Sequence, residues 1–471
     1  MFTSVTILGA GPAGLGAALG LVRRGHQVTV IERADTVGGN AGSFELAGLR
    51  VDYGSHRLHP AADPEVLALV RELVGDDLLA RRRHGRILLL DRWIHFPLRG
   101  ADLVRHAPPR FSAGVMVDLA RKAVLRRSAL KAETFATVLE RGLGPTICRE
   151  FYFPYARKIW GLEPDQISPI QAYRRVSAGS IGKMIRRLLP GRAVGARHRK
   201  GIFYYPRHGY GQICERLADA AEQGGARILL ATAATRVDLD ARTGHQVLTQ
   251  IESRTEALSS DHVWSTIPAT TLTRLVTPAA PADVLEASAR LKLRAMLLVY
   301  LVLEQDRFTE FDAHYFPGEN VPFTRVSEPK NYSGVREPVG TTVLCAEIPC
   351  GVNDAIWSMS HEALGDLVRS GLERAGLPIT SRVREVAVRR LPAAYPIYRV
   401  GYEEHFDRID RWIGQLDNVL SFGRQGLYAH DNTHHALFMA QAAVNSLRDG
   451  QLDRTEWQRY RRIFDTHVVE D

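Results

Sequence analysis

The sequence predicts an α/β fold in which one domain, built on a parallel sheet, is interleaved with a second domain of mixed sheet plus helices. Two observations predict the first domain: the order of its elements and the acid that ends them. An apolar run at 5–8 precedes the glycine-rich turn 9–14, a helical pattern and a second apolar run at 28–31, which ends on Glu32. This is a Rossmann-type GxGxxG unit, which binds the ADP part of a dinucleotide.

The three glycines of the turn have separate roles in such a unit. Gly9 permits the tight turn, Gly11 lets a pyrophosphate approach the backbone, and Gly14 lets the helix pack on the strand. The start of the helix presents free N–H groups and a partial positive charge to the phosphates. Glu32 stands where a carboxylate accepts both ribose hydroxyls, which disfavours a 2′-phosphorylated nucleotide. A glycine turn alone also occurs in loops that bind nothing, but here every element of the unit is present.

A second glycine pair, Gly38 and Gly39, favours FAD over NAD. The pair follows the strand that would bind the ribose, and it lets an extended cofactor run beneath the backbone. The turn Asp52-Tyr53-Gly54-Ser55-His56 would then lie near the redox ring. We expect FAD to be bound without a covalent link, because no Cys or His stands in a recognisable attachment motif.

Further segments resemble a known family of flavoproteins. They are 151–161 (FYFPYARKIWG), 203–211 (FYYPRHGYG), 422–428 (FGRQGLY) and 431–435 (DNTHH). Together with the N-terminal turn, they are similar to the family that includes UDP-galactopyranose mutase and, more distantly, protoporphyrinogen oxidase, the amine oxidases and the phytoene desaturases. The chain departs from that family at Asn40, where Arg is frequent, and at 433–435, where the mutases carry an acidic turn with methionine. These departures leave the inference of a flavin cofactor intact, but the substrate cannot be inferred from the resemblance.

The resemblance implies a set of site residues. Those expected to hold the flavin are Gly9, Gly11, Gly14, Glu32, Gly38, Gly39, Thr266, Gly423 and Arg424. Those expected to act in catalysis or to line the substrate cavity are His56, Tyr155, Trp160 and His434. Ordinary roles remain open to them, since aromatic residues are most often core residues and a histidine can be a polar group at a helix end. We expect Arg424 to face the flavin pyrophosphate, because a buried guanidinium needs an anion.

Composition and cysteine usage exclude several other classes. The 471 residues, 45% of them apolar, are enough for a sizeable core. Four cysteines without metal-ligand spacing predict reduced structural thiols, and no metal site is expected because His434 and His435 would point about 100° apart on a helix. The longest apolar run, 295–303, is too short to cross a bilayer, and no leader pattern opens the chain, so we expect a cytoplasmic protein.

Positive charge is concentrated in one segment. The net charge is +9, and 174–200 contains nine Arg or Lys and no Asp or Glu. Three interpretations of this segment remain open: a solvated basic loop, a clamp for an anionic substrate such as a nucleotide-sugar diphosphate, and a patch that contacts anionic lipid at a membrane surface. No nucleic-acid-binding fold accompanies the charge, so nucleic acid is not an expected partner.

The rest of the chain is assigned from periodicity and turn signals. We expect 1–60, 203–274 and 418–450 to form the FAD-binding domain, 61–202 a helical cap region, and 275–417 the substrate-binding sheet with its helices. The predicted elements are helices at 64–75, 134–155, 360–375 and from about 434, paired strands within 227–239, and strands at 295–303 and 341–348.

Two classes of function follow for a small-molecule substrate, which can be anionic or glycosylated. In the first, an oxidase, dehydrogenase or desaturase transfers hydride from the substrate to FAD. In the second, which resembles UDP-galactopyranose mutase, reduced flavin isomerises the ring of a nucleotide sugar without net redox change. The departure at 433–435 favours the redox enzyme. A flavin-binding scaffold without turnover is a third interpretation, and no oligomeric state is predicted.

Overall fold

The computed structural model describes residues 2–99, 102, 105–124, 133–175, 201–240, 245–251 and 254–469. Of the basic segment 174–200, only Arg174 and Arg175 fall within this part of the chain. The prediction of an anion or lipid contact by that segment therefore lies outside the described residues.

Strands and helices alternate along the described chain. The strands are β1 (Ser4–Leu8), β2 (Gln27–Ile31), β3 (Ser43–Leu46), β4 (Leu49–Asp52), β5 (Leu78–Arg82), β6 (Gly85–Leu89), β7 (Arg92–Phe96), β8 (Ile202–Pro206), β9 (Arg227–Leu229), β10 (Ala233–Asp238), β11 (His245–Ile251), β12 (Arg254–Ser260), β13 (His262–Ser265), β14 (Val276–Thr277), β15 (Leu293–Leu303), β16 (Ala313–Tyr315), β17 (Arg325–Ser327), β18 (Thr342–Cys350), β19 (Val383–Pro396), β20 (Val419–Ser421), β21 (Leu447–Arg448) and β22 (Gln451–Leu452). The α-helices are α1 (Pro12–Val22), α2 (Pro64–Val74), α3 (Pro109–Val124), α4 (Phe135–Leu143), α5 (Pro145–Ile147), α6 (Phe153–Trp160), α7 (Pro169–Arg175), α8 (Gln212–Gln223), α9 (Ala269–Leu275), α10 (Ala282–Arg290), α11 (Pro329–Ser333), α12 (His361–Arg374), α13 (Tyr402–Gln415), α14 (Gly423–Gly426), α15 (Thr433–Asn445) and α16 (Arg454–Phe464).

A parallel sheet of five strands, in the order β20-β13-β1-β2-β9, forms the predicted nucleotide-binding core. Ile7 at its centre pairs with Val30 on one side and Trp264 on the other, and all three side chains are fully buried. Burial on both faces explains why these strands read as continuous apolar runs. Helix α1 packs on α15, where Gly16 leaves room for Ala440 at close range. The predicted α/β fold with interleaved segments is confirmed.

A mixed sheet of seven strands, in the order β19-β15-β18-β17-β16-β6-β7, forms the second layer. Its longest strands, β15, β18 and β19, are antiparallel neighbours. Helix α12 covers one face through Leu364, Val368 and Leu372, whose spacing gives one apolar stripe on the helix. The strands predicted at 295–303 and 341–348 and the helix predicted at 360–375 are confirmed.

The single helix predicted at 134–155 is wrong. The segment divides into α4, the short α5, a π-helical turn at Cys148–Tyr152 and α6. Gly144 adopts φ 90° and ψ 154°, which no helix contains, and Pro145 has no N–H to continue the hydrogen-bond ladder. The apolar periodicity continued through this break, so periodicity alone concealed it.

Two other expectations about strands also need correction. The strands within 227–239 do not pair with each other: β9 joins β2 in the parallel sheet, whereas β10 pairs with β11 and β14. The region 61–202, expected to be largely helical, contains β5, β6 and β7, and the last two extend the seven-stranded sheet. These strands are short and rich in Arg, so they lack the strong apolar signal of the central strands.

The cysteines and the long helices agree with the sequence. All four cysteines are free and buried, and burial raises the pKa of the Cys148 and Cys214 thiols to about 12. Within the residues that the structure describes, no helix combines the length and the apolar character needed to cross a bilayer.

Candidate functional site

In the glycine turn between β1 and α1, two glycines are packed tightly against other atoms and the third faces open space. Gly9 has φ 102°, and a Cβ there would lie 2.7 Å from Thr266 Oγ1. A Cβ on Gly14 would lie 1.9 Å from the Gly9 carbonyl oxygen, so any side chain there would break the turn. A Cβ on Gly11, by contrast, would meet nothing within 4 Å. The open space therefore lies at the position expected to face a pyrophosphate.

The second glycine pair rests directly on this turn. Gly38 has φ 110° and donates its N–H to the carbonyl oxygen of Ala10 at 2.8 Å. Gly39 has φ 52°, and its missing Cβ would lie 3.4 Å from the Cα of Gly11. Both positions require left-handed backbone that only glycine adopts readily. The two glycine segments thus form one continuous backbone surface.

Glu32 also contacts the turn. Its carboxylate accepts the N–H of Ala10 at 2.9 Å and that of Ala34 at 3.0 Å. Each carboxylate oxygen has two lone-pair positions, so the ribose hydroxyls can still donate to it. The residue is therefore held in place by the backbone without losing its capacity to bind ribose.

Thr266 and Gly423 support the turn from the neighbouring strands. The Thr266 hydroxyl donates to the Leu8 carbonyl oxygen at 2.8 Å, so its proton is already used within the protein. Gly423, with φ 79°, would place a Cβ 2.8 Å from that of Ala13. The structure thus brings Gly9, Gly11, Gly14, Glu32, Gly38, Gly39, Thr266 and Gly423 together. Their binding of a flavin remains a prediction.

Arg424 lies next to this group but contacts protein groups. Its Nη2 donates to the Ala394 carbonyl oxygen at 2.9 Å, and its guanidinium lies 4.8 Å from the centre of the Tyr395 ring. The neighbouring carbonyl of Ala393 accepts hydrogen bonds from Asn40 at 3.1 Å and from Gln425 at 2.7 Å. The end of β19 therefore joins the second glycine pair to α14, a contact that no local pattern in the sequence indicated.

The His56 turn, residues 53–57, carries a half-buried imidazole. His56 Nε2 lies 2.9 Å from the Tyr53 carbonyl oxygen, and the ring stacks on Tyr210 at 5.2 Å. Because a carbonyl oxygen only accepts, Nε2 carries the proton and Nδ1 is the acceptor of the neutral ring. Burial lowers the pKa of His56, opposed by the charges of Asp52 and Glu347. The imidazole is therefore neutral near pH 7.

Two buried carboxylates fix this turn. Asp52 accepts hydrogen bonds from Ser43 Oγ and Tyr205 OH at 2.6 Å each, and burial raises the pKa of its carboxyl group despite these bonds. Glu347 on β18 accepts the Ser55 N–H at 2.7 Å and forms a bidentate pair with Arg325, with both distances 2.9 Å. The turn is thus attached both to β3 and β8, through Asp52, and to the seven-stranded sheet, through Glu347.

Trp160 belongs to a second group, which we call the aromatic wall: Trp160, Tyr395 and His430. The indole of Trp160 is 3% exposed and meets the edge of the His430 ring at 6.5 Å. His430 in turn lies 5.0 Å from Tyr395, the ring that Arg424 covers. Trp160 and Arg424 are therefore brought together through two rings that the sequence analysis missed. Neither ring stands in a motif, so only the tertiary structure identifies them.

Tyr155 does not share this wall. It lies on the same helix, α6, but five residues correspond to a rotation of about 140° from Trp160, and its ring neighbour is Phe151 at 6.1 Å. The two basic residues of α6 contact protein groups. Lys158 donates to three backbone carbonyls at 2.7 Å, and Arg157 pairs with Glu163.

His434 is buried beside the wall. The segment 430–433 runs from the aromatic wall to Thr433, which is hydrogen-bonded to the Tyr210 hydroxyl. Three Cα steps span at most about 11 Å, so the wall and the His56 turn lie near each other. Burial and neighbouring histidines lower the pKa of His434 to about 3. The ring is neutral and a weak base, which makes it a poor proton acceptor.

Buried Asp431 and half-buried His435 and His467 form a cluster beyond His434. Their ligand atoms lie within 4.8 Å of one another, as metal ligands do. However, the two imidazoles are stacked at 4.1 Å with 12° between their planes, so they cannot both aim a lone pair at one ion. Arg174 also lies 3.7 Å from the Asp431 carboxylate. We therefore describe the cluster as an ion-pair network that fastens the C-terminal tail.

Known proteins resemble this chain in sequence and in fold. A protein of Mycobacterium tuberculosis assigned as a flavin-containing monoamine oxidase is 32% identical over 253 residues, which are 50% of this chain and 51% of that protein. The match thus spans about half the length of that curated relative.

Solved structures match over nearly the whole chain. Reduced UDP-galactopyranose mutase has a TM-score of 0.81 at 21% identity and covers 99% of this chain and 100% of its own. A protein of Exiguobacterium assigned as a protoporphyrinogen oxidase has a TM-score of 0.72 at 19% identity, covering 94% and 98%. At such identities the similarity establishes the fold alone.

The family itself is identified by a family model. The model described as flavin containing amine oxidoreductase matches residues 12–411, and that description indicates a flavin cofactor. The resemblance inferred from the motifs is confirmed, and the chain belongs to the flavin containing amine oxidoreductase family.

Proposed function

We propose that the protein binds FAD and oxidises a small organic substrate by hydride transfer to the flavin. The observation that carries the proposal is the open space at Gly11, bordered by the second glycine pair and by Glu32. Backbone N–H groups border this space and no side chain fills it, as the diphosphate of FAD requires. Glu32 supplies the acid that would bind the ribose. Family membership supports the redox reaction.

The residues that would hold the cofactor divide by chemistry. The glycine turn and the start of α1 would face the diphosphate, and Glu32 would accept the ribose hydroxyls. Asn40 and Arg424 place an amide and a guanidinium beside this surface, each donating to a carbonyl oxygen at the end of β19. When bound, FAD supplies the two-electron acceptor of the reaction.

The protein's own groups would then position the substrate and accept a proton. Neutral His56 offers Nδ1 as the acceptor atom for a proton leaving an amine or hydroxyl group. The aromatic wall would provide an apolar surface that excludes water and orients the substrate. Arg325 and Glu347 would hold the His56 turn without contacting the substrate.

A second candidate function is supported by one observation. The fold of reduced UDP-galactopyranose mutase matches this chain with a TM-score of 0.81, above the 0.72 of the Exiguobacterium protein. A mutase would act on a nucleotide sugar, would need reduced flavin, and would produce no net oxidation. Both candidates use the same flavin-binding residues, so the substrate end of the site must distinguish them.

Anaerobic flavin spectroscopy tests the choice. The purified protein is mixed, without oxygen, with a panel of amines, alcohols, polyenes and nucleotide sugars. We expect one class to bleach the oxidised flavin band and air to restore it. If no compound bleaches the band and a nucleotide sugar is isomerised only after reduction by dithionite, the mutase is correct and the redox proposal is wrong. The protein reduced by dithionite without substrate serves as the control.

A further inference from the structure

Helix α3 presents its apolar stripe to solvent. Ala113, Met116, Val117 and Ala120 follow the i, i+3, i+4, i+7 spacing of a single helix face. All four are exposed, with Met116 at 65% and Val117 at 49% of their full accessible area. Such a stripe normally faces the core of a protein, because burial of apolar side chains stabilises the fold. Its outward orientation therefore indicates a partner.

The opposite face of α3 fixes this orientation. A Cβ on Gly114 would lie 2.7 Å from Thr146 Oγ1, and Asp118 accepts the Thr146 N–H at 2.7 Å. One turn further, Lys122 donates to the Gly142 carbonyl oxygen at 2.9 Å. Gly114, Asp118 and Lys122 are four residues apart and mark the attached side of the helix, whereas Met116 is rotated by about 200° from Gly114.

Positive charge flanks the apolar stripe on one side, since Arg110 and Arg121 are rotated by about 70° and 90° from the centre of the stripe. Arg110 and Arg121 are exposed on the helix, and Arg105 is exposed just before it. Asp118 is the one acidic residue of the helix sequence, and its carboxylate is used on the attached side. The apolar stripe is thus flanked by exposed cations, and the helix carries no acid on that side to compensate them.

We propose that this face of α3 lies in the interface of an anionic lipid bilayer. The apolar side chains would enter the boundary between headgroups and acyl chains, and the arginines would contact acidic headgroups. A second copy of this chain fits the face less well, because a two-fold contact would bring Arg110 and Arg121 of one copy close to the same residues of the other. The proposal does not depend on the reaction that the enzyme catalyses.

Vesicle flotation with the full-length protein tests the proposal. Phosphatidylcholine vesicles are compared with vesicles that also contain phosphatidylglycerol, at low and high salt. We expect binding only to the anionic vesicles, weakened by salt. Met116→Asp should weaken binding roughly tenfold or more through lost apolar burial, and the double variant Arg110→Gln, Arg121→Gln about thirtyfold.

Val339→Asp is the matched control, because Val339 is 69% exposed on a loop far from α3 in sequence. It should bind vesicles like the unmodified protein, and circular dichroism should show all variants folded. Equal binding to both vesicle types, or equal losses in Val339→Asp and Met116→Asp, would overturn the proposal. A third outcome would also overturn it: the protein does not bind vesicles, and sedimentation detects a dimer that Met116→Asp abolishes. The partner of this face would then be a second copy of the chain.

Discussion

The glycine turn and the aromatic wall are assembled in different ways. The turn draws its essential residues from 9–14, where backbone sterics alone select glycine. The wall joins Trp160, Tyr395 and His430 from three distant segments, and each ring contacts the next through its side chain. The proposed cofactor site is therefore built locally, whereas the proposed substrate end depends on the packing of the whole chain.

The largest effect is expected within the glycine turn. Gly11→Val should abolish flavin binding while leaving the unfolding temperature of the flavin-free protein nearly unchanged, because its side chain enters open space. Gly14→Val should lose both flavin and fold, since its Cβ would collide with the Gly9 carbonyl. Flavin absorbance and thermal unfolding measure the two effects.

Gly414→Val is the control for this pair, because a Cβ there also meets nothing within 4 Å and the residue lies in α13. It should retain flavin. If Gly11→Val also retains flavin, the turn is not the cofactor site, and the contrast between the two regions disappears.

The buried pair between Glu347 and Arg325 gives the next largest effect. Glu347→Ala should lower the free energy of unfolding by about 3–5 kcal/mol, because it leaves the largely buried guanidinium of Arg325 without its anion. Glu163→Ala, which removes the exposed pair with Arg157, should change it by less than about 1 kcal/mol. Urea unfolding of both variants measures the difference, and equal effects would show that the His56 turn is not held by Glu347.

Variants of Arg424 and Trp160 test the proposed cofactor end and the proposed substrate end of the site separately. Arg424→Ala should weaken flavin binding by roughly tenfold to a hundredfold, the range expected for a lost charge-assisted hydrogen bond. Trp160→Phe should retain flavin and raise the substrate KM by about tenfold, because aromatic contact area is lost. Flavin titration of the flavin-free protein and steady-state kinetics distinguish these results. The reverse pattern would exchange the two assignments.

The glycine turn can be predicted from the sequence more fully than the aromatic wall, because the turn is formed by neighbouring residues. The positions of Gly9, Gly11, Gly14 and Glu32 could be predicted because their role is set by neighbours in the chain. The break at Gly144 is signalled by a Gly-Pro pair, but the apolar periodicity that predicts a single helix continues across it.

Tyr395 and His430 could not be found from the sequence. One ends a long strand and the other lies in a loop, and nothing local distinguishes them from core residues. Their proximity to Trp160 arises only when the sheet and the helices pack.

The smallest effect concerns pH. Burial lowers the pKa of His56, so its neutral form is lost only when the pH falls below the ordinary histidine value near 6.5. If His56 accepts the substrate proton, kcat/KM should remain constant from pH 7 down through 6.5 and decrease at lower pH. His56→Gln should lower the plateau and remove this decrease. An unchanged profile in that variant would assign the proton to another group.

The cofactor released from the purified protein tests the central claim most directly. The protein is denatured, and the chromophore in the supernatant is identified by chromatography and quantified against the protein. We predict FAD, released without proteolysis, at about one molecule per chain, as expected for a single dinucleotide-binding unit. Release of FMN, or the absence of any flavin even after incubation with FAD, would contradict the account of the glycine turn.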